Sequence, residues 1–339
     1  MPGLSATANM LSPVAQTQAA DWVDALAFSP TGDTVAAAAA DGSITVLGLD
    51  GATRIAARHE HAATTVAFSC SGQLASGGQD GQIAIDGVLQ KIASKIASEW
   101  VARVAWRPDG ALLAVAHGRR VSTYDAGGAH QATSGELPAT VACLGWHPRG
   151  VQLAAGTYGG VQLLRGNGLA HDGLLAWKGS VLELAISPNG RRLAHGNQDA
   201  SVHFWDLRKR SELEMWGYAR KVRQLAWRHD ARYLATGGGD EVTLWDFAGR
   251  GPEGTRPITL EGHDEPLAWL GFAPASRRLA SVAGDGRALL WLPGETVQPL
   301  GAFELGDPLT CGAWSHDGRL LAVGSAGGAI AIIDADPAT

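Results

Sequence analysis

The sequence predicts an all-β protein, a closed ring of eight four-stranded antiparallel units, on three observations. Glycine is abundant, 45 of 339 residues, or about 13% against a usual level of roughly 7%. Turn signals recur about every 8–12 residues inside a chain that is 45% apolar and 18% charged, so short buried strands joined by tight turns are favoured over helices. One phrase then repeats along the whole chain: an alternating apolar run ending in an aromatic or Ile, a polar turn, and a second apolar run. Fifteen prolines and no triplet period exclude collagen.

The repeat can be followed unit by unit. Its anchors are Phe28, Phe68, Trp106, Trp146, Ile186, Trp227, Phe272 and Trp314, spaced by 40, 38, 40, 40, 41, 45 and 42 residues. A period near 41 with four short strands per unit is a propeller signature. Strand a ends at the anchor, as in Val181 to Ile186, strand b follows as in Arg192-Leu193-Ala194, and strand c as in Ser201 to Trp205. A less regular strand d completes each unit. The chain reads as a single domain over 1–339, with units near 22–57, 62–97, 100–136, 140–176, 180–216, 221–260, 266–302 and 308–334. After the last unit too few residues remain for a strand d. The segment at about 14–20, Val14-Ala15-Gln16-Thr17-Gln18 at its core, is expected to supply it as a latch, since an open ring leaves an unpaired edge.

These residues resemble the tryptophan–aspartate (WD) repeat family of β-propellers. The dipeptide stands at Trp205-Asp206 and Trp245-Asp246, with Gly262-His263 as the Gly-His element and Tyr124-Asp125 as a degenerate copy. The resemblance covers about residues 14–334. It implies a buried hydrogen-bonded set of His, Ser/Thr, Asp and Trp, complete in unit seven as His263, Ser281, Asp285 and Trp291. Thr236, Asp240 and Trp245 keep part of it, as do Asp199 with Trp205, and His59, Ser76 and Asp80. Units three, four and eight lack the Asp. The role of the set is structural, because a buried carboxylate needs partners.

The chemistry-bearing motifs of common enzymes are missing: no GxSxG, no P-loop and no HExxH. His59 and His61, one residue apart, would face one side of a strand, but a zinc site normally needs three or four protein ligands. No metal and no cofactor is expected. Cys70, Cys143 and Cys311 are odd in number and far apart, which argues against a disulfide framework and fits a reducing compartment. A net charge of −6 gives no whole-chain basic footprint for nucleic acid. The N-terminus is a poor signal peptide, and no apolar run approaches a membrane span. A cytoplasmic monomer that binds neither nucleic acid nor membrane is expected.

Binding residues are sought on one face. In an antiparallel meander the d–a and b–c loops share one end of the blade, here called the upper face. It collects Trp22, Trp100, Tyr218, Arg220, Lys221 and Arg223, with the turn residues Gln79, His117, Tyr158 and Gln198. Aromatic rings beside arginine are common binding anchors. Trp22 and Trp100 have a second reading, as caps of the inner strands. Trp177, Trp216 and Trp269 also lack a repeat slot. The opposite face reads as tight-turn chemistry only. The resemblance implies a non-catalytic scaffold for a protein or peptide. The alternative is a propeller responsive to a small molecule or metal, or a propeller enzyme, acting at the central channel.

Overall fold

The computed structural model describes residues 9–92, 99–249 and 251–336. The end of the unit expected near 62–97 therefore lies partly outside the described residues. All regular structure among them is β-strand. The first unit shows why. Val23–Phe28 alternates in burial, Thr34–Ala39 and Ser43–Gly48 are almost wholly buried, and Thr53–Arg58 is mostly exposed. Middle strands covered on both faces by neighbouring blades need unbroken apolar runs, while the outer strand meets water on one side. The four pair in chain order as an antiparallel meander.

The inner strands follow one another around the ring. Val23–Phe28 touches Ala63–Phe68, and contact passes on through Val101–Trp106, Cys143–Trp146, His171–Ile186, Gln224–Trp227, Leu267–Phe272 and Leu309–Trp314, which touches Val23–Phe28 again. Four strand-a tryptophans stitch neighbours together. The indole N–H of Trp106 donates to the carbonyl of Ala67 at 3.3 Å, Trp146 to Ala105 at 3.0 Å, Trp227 to Ala185 at 3.1 Å and Trp314 to Gly271 at 2.8 Å. These anchors bury a ring and satisfy its polar atom on the preceding blade at once.

Counted by hydrogen bonding, the blades number seven and not eight. Five sheets have four strands, one has five and one has six. The correction lies in units four and five. Gln152–Arg165 runs without a break through the expected strands b and c. His171–Ile186 runs through strand d of unit four and strand a of unit five. Tyr158 pairs with Ser180 and Gly160 with Ala176, so the ladder passes from one corner to the next. The stretch Leu174-Leu175-Ala176-Trp177 carries no turn residue, and nothing there ends the strand.

Ring closure uses the N-terminal segment. Pro13–Gln18 pairs antiparallel with the last strand, Ala329–Asp334, with Gln18 opposite Ala329 and Thr17 opposite Ile330. A shared core joins the two ends of the chain, with Val35 and Leu47 packed with Ile330 and Ile332. Each such fully buried aliphatic contributes roughly 1.5–3 kcal/mol. At the inner rim the Thr310 hydroxyl donates to the Val23 carbonyl at 2.6 Å. Asn9–Met10 adds a short parallel strand beside Gly301–Glu304, which the sequence did not announce.

Candidate interaction surface

The buried polar sets fix the ends of the strands that carry the upper face. In unit seven the His263 ring bridges Asp285, at 3.0 Å, and the Ser281 hydroxyl, at 2.8 Å. The Trp291 indole donates to that hydroxyl at 2.8 Å. Backbone N–H groups of Asp264 and Arg287 donate to the Asp285 carboxylate at 3.0 Å each. Burial alone would raise the Asp285 pKa, but the His263 contact and these amides hold it well below the usual carboxylate range. Unit two repeats the arrangement with His59 between Asp80, at 3.1 Å, and Ser76, at 2.9 Å. His61 is exposed where His59 is buried, so the two histidines do not share a face.

Other units fill the same positions with different groups. In unit five the Trp205 indole donates to His195 at 3.2 Å, and His195 donates to the Asn197 side-chain oxygen at 2.9 Å. Asn197 donates to the Ser201 hydroxyl, which donates to Asp199 at 2.6 Å. This chain uses His195 as a neutral ring, and burial lowers its pKa to about 4. In unit six Tyr218 stands where a His is expected: its hydroxyl lies 2.7 Å from Thr236 Oγ1 and accepts from the Trp245 indole at 2.8 Å. Burial pushes the Tyr218 pKa up to about 12. Asp240 is exposed and makes no hydrogen bond with the described residues, so it is not part of that set. In unit three His117 is fully buried, bonded to Glu99 and Ser122 at 2.8 Å each.

These bonds correct two of the sequence-derived binding residues. His117 and Tyr218 face inward because their rings complete buried sets. The others reach solvent on the upper face. Trp22 is 44% exposed, Trp100 56% and Tyr158 61%. Arg220, Lys221, Arg223 and Gln198 are exposed, and Gln79 is half-buried. They come from different units around the rim. One aromatic missing from the expected group is Trp216, 82% exposed in the same d–a loop as Arg220. The signal was its lack of a repeat slot.

The inner wall of the upper face carries mixed charge. Arg103 lies 3.8 Å from Glu183. Burial raises the Glu183 pKa against the opposing pull of Arg103 and Arg223. Asp24 is likewise raised by burial, and its bond to Trp22 and the nearby Arg103 oppose the rise. The Cys311 thiol is pushed up to about 12 by burial, and Cys143 rises for the same reason. Neither thiol is an activated nucleophile. Trp269 covers Gly271 and Gly312, where an added Cβ would meet its ring at 2.5 and 2.6 Å.

The WD domain, G-beta repeat family model matches residues 12–46 and 171–206, the first covering the latch and the start of unit one, the second the long shared strand and unit five. These two stretches match WD repeats, and the ring of antiparallel sheets has the β-propeller fold. Among its relatives is the anaphase-promoting complex subunit cdh1 of Dictyostelium discoideum, 31% identical over 115 residues, or 34% of this chain. Protein HIRA of the same organism is 23% identical over 153 residues, or 39% of this chain. The chain spans only 15% and 13% of the lengths of these relatives. Similar solved structures include the computationally designed Ika8 protein, with TM-score 0.78, 20% identity and coverage of 95% of this chain and 99% of that one. Sqt1 from Chaetomium thermophilum gives 0.78 at 16%, covering 96% and 99%. A chain of the mitotic checkpoint complex gives 0.69 at 22%, covering 98% and 94%. These structures share the propeller fold. Within the described residues, no helix is long and apolar enough to cross a membrane.

Proposed function

We propose that this WD-repeat propeller is a non-catalytic scaffold that holds a protein or peptide partner against its upper face. The observation that carries the reading is the company of exposed aromatics and cations at one end of the ring. Trp22, Trp100, Tyr158 and Trp216 present large rings to water, while Arg220 and Lys221 make no side-chain hydrogen bond or ion pair with the described residues. Rings of this size with arginine beside them are what hot spots are made from. Two relatives support it by their descriptions, one a subunit of the anaphase-promoting complex, the other a chain of a checkpoint complex. The protein acts as a cytoplasmic monomer and binds no nucleic acid.

The test begins with affinity capture and identification of a stoichiometric partner, followed by calorimetry with variants. Trp100→Ala and Arg223→Ala should each weaken binding about tenfold or more. His316→Ala, an exposed a–b turn residue on the opposite face, should leave it unchanged. The reverse pattern would place the partner elsewhere. A charged channel wall of Asp24, Arg103, Glu183 and Arg223 supports a second reading, a small molecule in the channel. Native mass spectrometry that finds such a molecule, with no protein partner captured, would favour it.

A further inference from the structure

The lower face, expected to hold only tight turns, carries a groove of about 940 Å³ across units three, four and five. Four guanidinium groups line it: Arg107, Arg149, Arg165 and Arg208. Arg107 is tied down on Asp109, at 2.8 and 3.0 Å, and reaches Asn167 at 3.1 Å. Arg165 faces Asp172 at 3.3 Å. Arg149 and Arg208 are exposed, and neither guanidinium has a hydrogen-bond or ion-pair partner among the described residues. Past Arg208 the surface continues into a depression of about 520 Å³ that adds Arg191 and Lys209. Its one carboxylate, Asp206, accepts the backbone N–H groups of Arg208 and Lys209 on one oxygen, at 2.9 Å each.

The lining is therefore cationic in a chain whose net charge is −6. Six cations (Arg107, Arg149, Arg165, Arg191, Arg208, Lys209) face three carboxylates (Asp109, Asp172, Asp206). Its walls are set in advance by turns that interlock between units. Gly150 has φ +67°, and a Cβ there would come within 3.0 Å of the Arg107 side chain. Gly190 has φ +69° and leaves room for the His147 ring. That ring donates to the Gly190 carbonyl at 3.2 Å and accepts from the Arg149 amide at 3.1 Å. The lining also offers an apolar foothold, with Val151 62% exposed and Leu207 half-buried.

We infer that this groove is a second docking site, for an acidic peptide segment of a protein partner. Carboxylate side chains fit the free forks of Arg149 and Arg208, since guanidinium binds carboxylate with two parallel hydrogen bonds. An apolar side chain of the same segment rests on Val151 and Leu207. A nucleic acid strand fits less well. Sequence-tolerant strand binding uses aromatic stacking platforms, and the only ring in the lining is His147, already held on both nitrogens. The scaffold then has two faces with different partner chemistry.

The experiment is fluorescence anisotropy of the whole chain with a labelled polyglutamate peptide carrying one leucine, and in parallel with a labelled oligouridylate. Peptide binding should weaken at least about tenfold in the Arg149→Glu, Arg208→Glu double variant, and fall steeply between about 50 and 200 mM salt. Arg149→Gln with Arg208→Gln should give a smaller loss in the same direction. Arg220→Glu with Lys221→Glu, on the upper face, should bind the peptide as wild type does. That control separates this site from the upper-face reading, which can fail alone. Unmoved melting temperatures show that the variants fold. Absent peptide binding, equal binding by all variants, or tighter binding of the oligouridylate would each overturn the proposal.

Discussion

Units seven and six meet the same requirement with different side chains. Each must satisfy the indole of a buried strand-c tryptophan and pin the d–a loop to strand b. Unit seven does so with His263, Ser281 and Asp285, in which a carboxylate collects one imidazole, two backbone amides and the Arg287 guanidinium. Unit six does so with the Tyr218 hydroxyl, between Thr236 and Trp245, and leaves its turn aspartate, Asp240, in solvent. A charged hub organises loops as well as strands, because it can accept several hydrogen bonds at once. A hydroxyl hub ties the strands but does nothing for the b–c turn. The difference teaches that a repeat conserves the need for a partner, not the identity of the partner.

The largest expected effect follows from the charged hub. Asp285→Ala should cost roughly 2–3 kcal/mol, because it orphans the His263 ring and two amides in a poorly hydrated site. Chemical denaturation with a two-state analysis reads this directly. A midpoint like that of wild type would mean that the hub carries no stability, and the contrast between the units would collapse.

Unit five supplies a third solution, a neutral relay, and it sharpens the comparison by pH. Burial lowers the His195 pKa to about 4 from an ordinary 6.5, while its bond to Asn197 opposes the shift. Below pH 6.5 the unfolded chain takes up a proton that the folded chain refuses. The relay's contribution is therefore complete above pH 6.5 and is lost as pH falls toward 4. Going from pH 7 to 5 should remove roughly 2 kcal/mol. In the Asp285 hub the carboxylate pKa is lowered, so its contribution persists through this window and is lost only at lower pH. The pH slope of stability should flatten in His195→Gln. His203 stacks on His195 with ring centroids 5.3 Å apart, so the variant, not the wild-type slope, isolates the group. Identical slopes would contradict a neutral, buried His195.

How much of this was readable in the sequence differs by element. The complete set of unit seven was legible because every slot holds its expected residue type. The latch was legible because Val14-Ala15-Gln16-Thr17-Gln18 precedes the first unit and belongs to none of the repeats. The fused sheet was not, since the corner between units four and five, Trp177-Lys178-Gly179-Ser180, holds a Gly-Ser pair that reads as a turn, and only the unbroken strand and the pairing of Tyr158 with Ser180 show the ladder crossing it. Tyr218 and His117 were misplaced for a common reason. Position in a loop or at a strand end gives the face of the ring, while the direction of the side chain depends on local backbone angles and on which buried acceptor lacks a donor. The lower groove was hidden because its cations come from turns of three units, each harmless alone.

The smallest expected effect is the most discriminating between units six and seven. Tyr218→Phe keeps the ring and removes the hydroxyl, leaving the Trp245 indole without its acceptor, while Thr236 retains its bond to the Thr243 carbonyl. The cost should be about 1 kcal/mol, since one of the two groups keeps a partner. Asp240→Ala, at the position that corresponds to Asp285, should change stability by less than about 0.5 kcal/mol, as substitutions at exposed, unpartnered positions do. Measured side by side by denaturation, the two variants decide which residue is the hub of unit six. If Asp240→Ala costs more than Tyr218→Phe, the aspartate turns inward in solution and unit six is built like unit seven after all.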